Sequence, residues 1–376
     1  MPGIYIHIPF CKRKCHYCNF FSLASLKYRE RFLDALNEEI FLEKNFLGNK
    51  PVESIYLGGG TPSYIRVSEI SGILTNLKKY YAFAENIEIT LEANPDDINP
   101  EMLGEYLELG INRLSIGVQS FFEEDLVYLN RIHSAERAIE SVREAKEAGF
   151  SNISIDLIYG IPTLTLENWN RNLEIAFSLD VPHVSAYALT VEPKTPLDLM
   201  IRKGKLPAPE EEQVVEHFRI LMQRMKAQGF EHYEISNFCK DGSYSRHNSM
   251  YWNGSHYLGL GPSAHSYNGT TRRWNVSNLF QYIDQIQRND RFYESEELTD
   301  AQRYNEYVMV TLRTMWGCDL GKIRNDFGEE TALRFSSLAI PFIEAGQIIQ
   351  NDAVYFLTDE GKLFADGIAS ELFLEP

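Results

Sequence analysis

A strand-like run followed by a helical stretch recurs about six times before residue 200, and this repetition limits most what the chain can fold into. The strand-like runs are Ile4–Ile8, Ser54–Leu57, Ile87–Leu91, Arg113–Val118, Ile153–Ile158 and Val184–Leu189. Between them lie helix-period stretches such as Ala135–Ala148 and Tyr28–Phe46, where Phe32, Leu33, Leu36 and Ile40 mark one helix face. Parallel strands need a crossover connection, usually a helix, so this alternation predicts a parallel sheet. Six units fall short of the eight of a closed barrel. The expected fold is α/β: a partial, open (β/α)6 TIM-like barrel over residues 1–229, with a smaller mixed, largely helical C-terminal domain over 230–376. The stretch Phe230–Asn275, rich in Gly, Tyr, His and Trp, is expected to form strands and loops over the barrel mouth.

Polar and glycine residues gather at one end of the predicted strands. A cysteine-rich loop follows the first, and Gly58-Gly59-Gly60-Thr61-Pro62 follows the second. Glu92 ends the third, Gln119 ends the fourth, and Asp156 lies on the fifth just before Tyr159-Gly160. Barrel enzymes place their chemistry at the C-terminal ends of the strands. Five successive units agreeing on that end is a stronger signal than any one motif.

The loop carries Cys11, Cys15 and Cys18 in the spacing C-x₃-C-x₂-C, three of only five cysteines in 376 residues. Such clustering in a cysteine-poor chain argues for metal ligation and against a disulfide framework. Zinc usually takes four ligands in paired groups, and adding His16 would crowd one tetrahedron. Three thiolates on a short loop suit three irons of a [4Fe–4S] cluster and leave the fourth iron open. Zinc and buried structural cysteines are the other readings. The net charge of -17 argues against a nucleic-acid partner. The apolar run Ile4–Phe10, broken by His7 and Pro9, is too short for a signal peptide or a membrane span, so a reducing, cytoplasmic location is expected.

Together, Tyr5-Ile-His-Ile-Pro-Phe-Cys11 with Cys15 and Cys18, the Gly58–Pro62 run, Gly117-Val-Gln119-Ser120, Asn130-Arg131 and Asp156–Pro162 resemble the radical S-adenosylmethionine (SAM) superfamily. The resemblance spans essentially the whole chain. It is narrowest to the branch of oxygen-independent coproporphyrinogen III oxidases and HemW-like haem chaperones. It implies that SAM chelates the open iron through its amino and carboxylate groups. An electron from the cluster then cleaves a sulfonium C–S bond, giving methionine and a 5′-deoxyadenosyl radical. It further implies SAM contacts from Tyr5, Tyr17, Gly59, Gly60, Thr61, Glu92, Gln119, Arg131 and Asp156. The glycines would let the backbone approach the ligand, and Arg131 suits a carboxylate.

Two features separate the branches. The oxidase pattern extends the loop to C-x₃-C-x₂-C-x-C, and this chain has Phe20 at the last position. Further on, His247-Asn248-Ser-Met-Tyr251-Trp252 matches the H-N-x-x-Y-W motif associated with haem in the chaperone branch. An imidazole can ligate haem iron, and Tyr251 and Trp252 could cover the macrocycle. The resemblance thus implies haem as a ligand, haem-acceptor proteins including membrane-associated respiratory enzymes as partners, and a cluster-dependent homodimer. The competing expectation is oxidative decarboxylation of coproporphyrinogen III.

Overall fold

The computed structural model describes residues 2–375. The six expected strand regions are β1 (Gly3–Ile8), β2 (Val52–Gly59), β3 (Phe83–Ala93), β4 (Arg113–Gln119), β5 (Asn152–Tyr159) and β6 (His183–Ala188). They lie side by side in chain order, every neighbouring pair parallel. The region after residue 230 extends both edges of this sheet. Next to β6 stand β8 (Asn237–Cys239) and β7 (Glu231–Glu234), antiparallel. Next to β1 stand β9 (Tyr257–Leu260), β10 (His265–Tyr267), β11 (Thr271–Asn275) and β12 (Tyr293–Glu297). The first of these runs parallel to β1 and the rest are antiparallel. The result is one twelve-stranded mixed sheet with the parallel strands at its centre.

Alternation along the strands sorts the side chains into two faces. On one, Ile4, Ile6, Ile55, Leu57, Ile89, Leu91, Leu114, Ile116, Ile153, Ile155 and Val184 are buried in the main hydrophobic core. On the other, paired by register, stand Tyr5, Tyr56, Thr90, Glu92, Arg113, Ser115, Ser154, Asp156 and Ser185. A parallel sheet covered on both faces usually reads as continuous apolar runs. Here the inner face is mostly polar, with Ile158 an apolar exception, so the interior is built as a site.

Two hydrophobic cores are present. The first includes Phe218, Phe230, Phe238, Leu258, Tyr282 and Phe292, so the boundary expected after residue 229 falls within it. The second begins at Tyr304 and gathers Leu312, Cys318, Phe335, Tyr355 and Leu372. It includes a small antiparallel sheet of β13 (Cys318–Asp319), β14 (Ile348–Asn351) and β15 (Val354–Leu357), leading into the short helix Asp359–Lys362. Among the described residues, no helix is long and apolar enough to cross a membrane.

Candidate functional site

The inner face, the cysteine loop and the strand ends enclose a cavity of about 470 Å³. Cys11, Cys15, Tyr17, Cys18, Gly59, Gly60, Thr61, Glu92, Gln119, Arg131 and Asp156 all line it, and so does Asn248. Of the expected SAM contacts only Tyr5 is not on its wall. The Tyr5 hydroxyl lies 3.2 Å from His7 Nδ1, and its ring faces that of His247 deeper in the interior.

The cysteine loop is pinned by the segment Tyr128–Asn130. His16 N–H donates to Leu129 O, His16 Nδ1 lies 2.9 Å from Tyr128 O, and Asn130 Nδ2 donates to Lys14 O at 2.8 Å. His16 therefore anchors the loop to the helix Glu123–Leu129. Among the described residues, no three His, Cys, Asp or Glu side chains converge on one ion position. Burial pushes the Cys18 thiol up to about 11 and raises Cys11 as well, so ligation there must release protons. The half-buried thiols at the cavity rim fit a [4Fe–4S] cluster held by Cys11, Cys15 and Cys18.

The glycine run is demanded by packing as well as by any ligand. Gly59 has φ of +108°, and a Cβ there would fall 2.6 Å from the His7 ring. A Cβ at Gly60 would fall 2.7 Å from the Phe10 carbonyl oxygen. Gly60 N–H donates to Ile8 O and Thr61 N–H to Phe10 O, which ties the loop after β2 to the chain that leads into Cys11.

The polar groups are held in fixed directions. Glu92 accepts from the Tyr56 hydroxyl at 2.9 Å and from Gly59 N–H at 3.1 Å. Asp156 accepts from Ser115 Oγ at 3.2 Å. Burial pushes the Glu92 carboxyl up to about 7 and that of Asp156 to about 6. The β4–β5 register shifts between Ile116 and Gln119, and Gln119 has φ of 70°. A bulge with left-handed backbone turns the last residue of a strand away from its regular direction. The Arg131 guanidinium reaches Cys15 Sγ at 3.3 Å, Asn94 Oδ1 at 2.5 Å and Gly117 O at 2.8 Å. Asn94, Tyr56, Ser115, Tyr187 and Arg113 also face the cavity. Asn94 stands at the end of the third strand, as its position in the sequence suggests, whereas sequence reading missed Tyr56, Ser115, Tyr187 and Arg113, although alternation with apolar residues along the strands was the available signal.

The H-N-x-x-Y-W segment is the helix Arg246–Trp252, and it splits across three environments. His247 is 1% exposed. Its Nδ1 lies 2.8 Å from Ser54 Oγ and its Nε2 lies 3.0 Å from the Tyr251 hydroxyl. Ser54 Oγ donates to Met250 Sδ, so it accepts from Nδ1–H, and Nε2 then accepts from Tyr251. Both ring nitrogens are thus engaged inside the protein, and burial lowers the His247 pKa to about 3. Asn248 faces the strand-end cavity. Tyr251 and Trp252 form part of a second cavity of about 570 Å³ between the two cores, with Met309, Trp316 and Phe327 on the far wall.

Comparison with known proteins fits this geometry. Residues 5–176 match the radical SAM superfamily. A heme chaperone HemW of Bacillus subtilis is 36% identical over 98% of this chain and 98% of its own length. The chain belongs to the HemW family of radical SAM proteins. Another member, from Mycobacterium tuberculosis, is 33% identical over 98% of this chain and 94% of its own. The coproporphyrinogen III oxidase HemN of Escherichia coli, a radical SAM enzyme, superposes with a TM-score of 0.86 at 24% identity. It covers 99% of this chain and 90% of that one, so the whole radical SAM fold, C-terminal part included, is shared. When bound, a cluster of this family supplies one electron to the SAM sulfonium. Cys11, Cys15 and Cys18 at the rim, with Arg131, Glu92 and Asp156 on the wall, are the groups that this cavity would present to such a cofactor.

Proposed function

We propose that this protein is a haem chaperone: it binds haem, passes it to acceptor haem proteins, and carries a SAM-binding [4Fe–4S] cluster in the strand-end cavity. The observation that carries this reading is the kinship with HemW proteins along nearly the full length of both chains. Phe20, 65% exposed beside the cluster loop, supports it, because it stands where the oxidase pattern has a further cysteine. Cys11, Cys15 and Cys18 hold the cluster. Tyr17, Gly59, Gly60, Thr61, Glu92, Gln119, Arg131 and Asp156 surround SAM.

Haem occupies the cleft between the two cores, where Tyr251 and Trp252 face Trp316 and Met309. A volume of about 570 Å³ with seven aromatic residues on its walls suits a flat apolar ring. Arg272, Arg303 and Lys322 on the same lining are paired with Glu306, Asp300 and Asp326, and the propionates would take the place of these carboxylates. His247 serves this site through Tyr251 and does not ligate the iron. Acceptors include membrane-associated respiratory enzymes, and dimerisation depends on the cluster.

Replacing Trp252 and Trp316 by alanine tests the placement. Each change is expected to weaken haem binding at least tenfold, equal to about 1.4 kcal/mol, while the cluster absorbance stays. Unaltered haem affinity in both variants places haem elsewhere.

A further inference from the structure

One charge in the strand-end cavity is bound to neither the cluster loop nor a strand-end partner. Arg113 begins β4, faces the interior, and is 1% exposed. Its Nε has no hydrogen-bond partner among the described residues. An isolated buried guanidinium is costly unless anions compensate it. We propose that Arg113 is a positioning residue: it is the buried counter-charge that keeps Glu92 and Asp156 ionised, and so fit to bind the cationic and hydroxyl groups of SAM. The inference rests on the reading of this cavity as the SAM site.

Register supplies the geometry. β4 lies between β3 and β5, which carry Glu92 and Asp156. Ser115 pairs with both Glu92 and Ser154, and Arg113 is the next inward residue below it. Each such step along a strand is about 6.6 Å, so Glu92 stands one step above Arg113 and Asp156 two, with Ser115, which donates to Asp156, between them. Arg113, Glu92 and Asp156 all line the one cavity.

The other groups around Arg113 are neutral or already occupied. Towards the floor, burial lowers the pKa of His183 and His247, and Arg113 lowers both further, so they carry no charge. Glu88 spends its oxygens on the backbone N–H groups of Arg246 and His247. Tyr5, Tyr56, Tyr187 and Tyr251 are phenols whose burial keeps them protonated. The second cation, Arg131, is held by Cys15, Asn94 and Gly117. Arg13 and Lys14 on the cysteine loop and Glu192 after β6 line the cavity as well, and Glu92 and Asp156 are the anions on the two strands flanking Arg113. It acts on both in that sense, opposing the burial that raises them.

The test compares the wild type with Arg113→Met, Arg113→Gln and Arg113→Lys in full-length, cluster-reconstituted protein. The first readout is SAM affinity by calorimetry across pH. The second is the infrared carbonyl band of protonated carboxyl groups, recorded without SAM and assigned with Glu92→Gln and Asp156→Asn. Wild-type affinity should fall as pH drops through about 7. The Met and Gln variants should move that midpoint upward and keep the carboxylic-acid band to higher pH than the wild type does. A midpoint raised by about one pH unit weakens binding roughly tenfold at pH well below the wild-type midpoint, and binding should recover at alkaline pH. The Lys variant should follow the wild type. If the Met variant does not fold, the Gln variant gives the reading. Unmoved midpoints, or a uniform affinity loss at every pH, overturn the proposal. Absence of SAM binding in the wild type would instead overturn the SAM reading, and the infrared titration would still decide the role of Arg113.

Discussion

His247 Nε2 stands 3.0 Å from the hydroxyl oxygen of Tyr251, one turn along the same helix. Because the His247 ring also packs on that of Tyr56, the contact links the wall of the strand-end cavity to the cleft lined by Tyr251. It also makes the histidine a hydrogen-bonded core residue, where its sequence motif had made it a candidate for haem iron. The physical reason is burial: with Ser54 on Nδ1 and Tyr251 on Nε2, the ring satisfies both nitrogens internally.

His247→Ala is therefore expected to cost stability first. It leaves Ser54 and the Tyr251 hydroxyl short of a partner and opens a small cavity, together about 2–4 kcal/mol. Thermal unfolding of the apo-protein measures this. A variant with unchanged melting temperature and a lost axial-ligand spectrum would restore His247 as the iron ligand.

Gly60→Ala should act on the cluster through the backbone. The added Cβ meets the Phe10 carbonyl oxygen, which cannot move without moving Cys11. Overpacking of this kind costs about 1–3 kcal/mol. Cluster content after reconstitution, read by iron and sulfide analysis, is expected to fall. Full cluster content with wild-type stability would show that the loop has slack.

Glu39 gives a pH signature remote from both cavities. It is buried in the helix Arg29–Leu42 and accepts from Tyr282 Oη at 2.5 Å, Asn275 Nδ2 at 2.6 Å and Gly261 N–H at 2.7 Å. Burial raises its carboxyl to about 7 against those three donors. The folded state then holds this proton more tightly than the unfolded chain does. Its contribution is complete below the unfolded pKa of about 4.5 and is lost as pH rises through about 7. Glu39→Gln should remove that slope, so the variant gains on the wild type as pH climbs through this window. Parallel stability curves for the two proteins would contradict the assignment.

Much of this is legible in the sequence because it rests on local pattern. The six inner strands follow from apolar alternation, and the strand-end cluster of Cys11, Gly59, Glu92, Gln119 and Asp156 follows from their common position in the βα units. What stays hidden depends on contacts distant in sequence. The pairing of β9 with β1 joins residues some 250 positions apart and has no local signature. The same holds for the bond from Ser54 to His247, which decides the role of the histidine. Gly59 and Gly60 are recognisable as close-approach residues, but the structure adds a near neighbour, the chain from His7 to Phe10. Arg113 looks like an ordinary charged residue opening a strand, and only the register puts it beneath two carboxylates.

The proposed function has a cluster-bearing fold, shared with a porphyrinogen-processing enzyme, carry haem. One anaerobically reconstituted preparation, supplied with SAM and reductant, tests it when divided between haem and coproporphyrinogen III. A haem chaperone gives a saturable Soret spectrum with haem that passes to an apo-acceptor, and no protoporphyrinogen IX from the porphyrinogen. Turnover to protoporphyrinogen IX without a stable haem complex would contradict it.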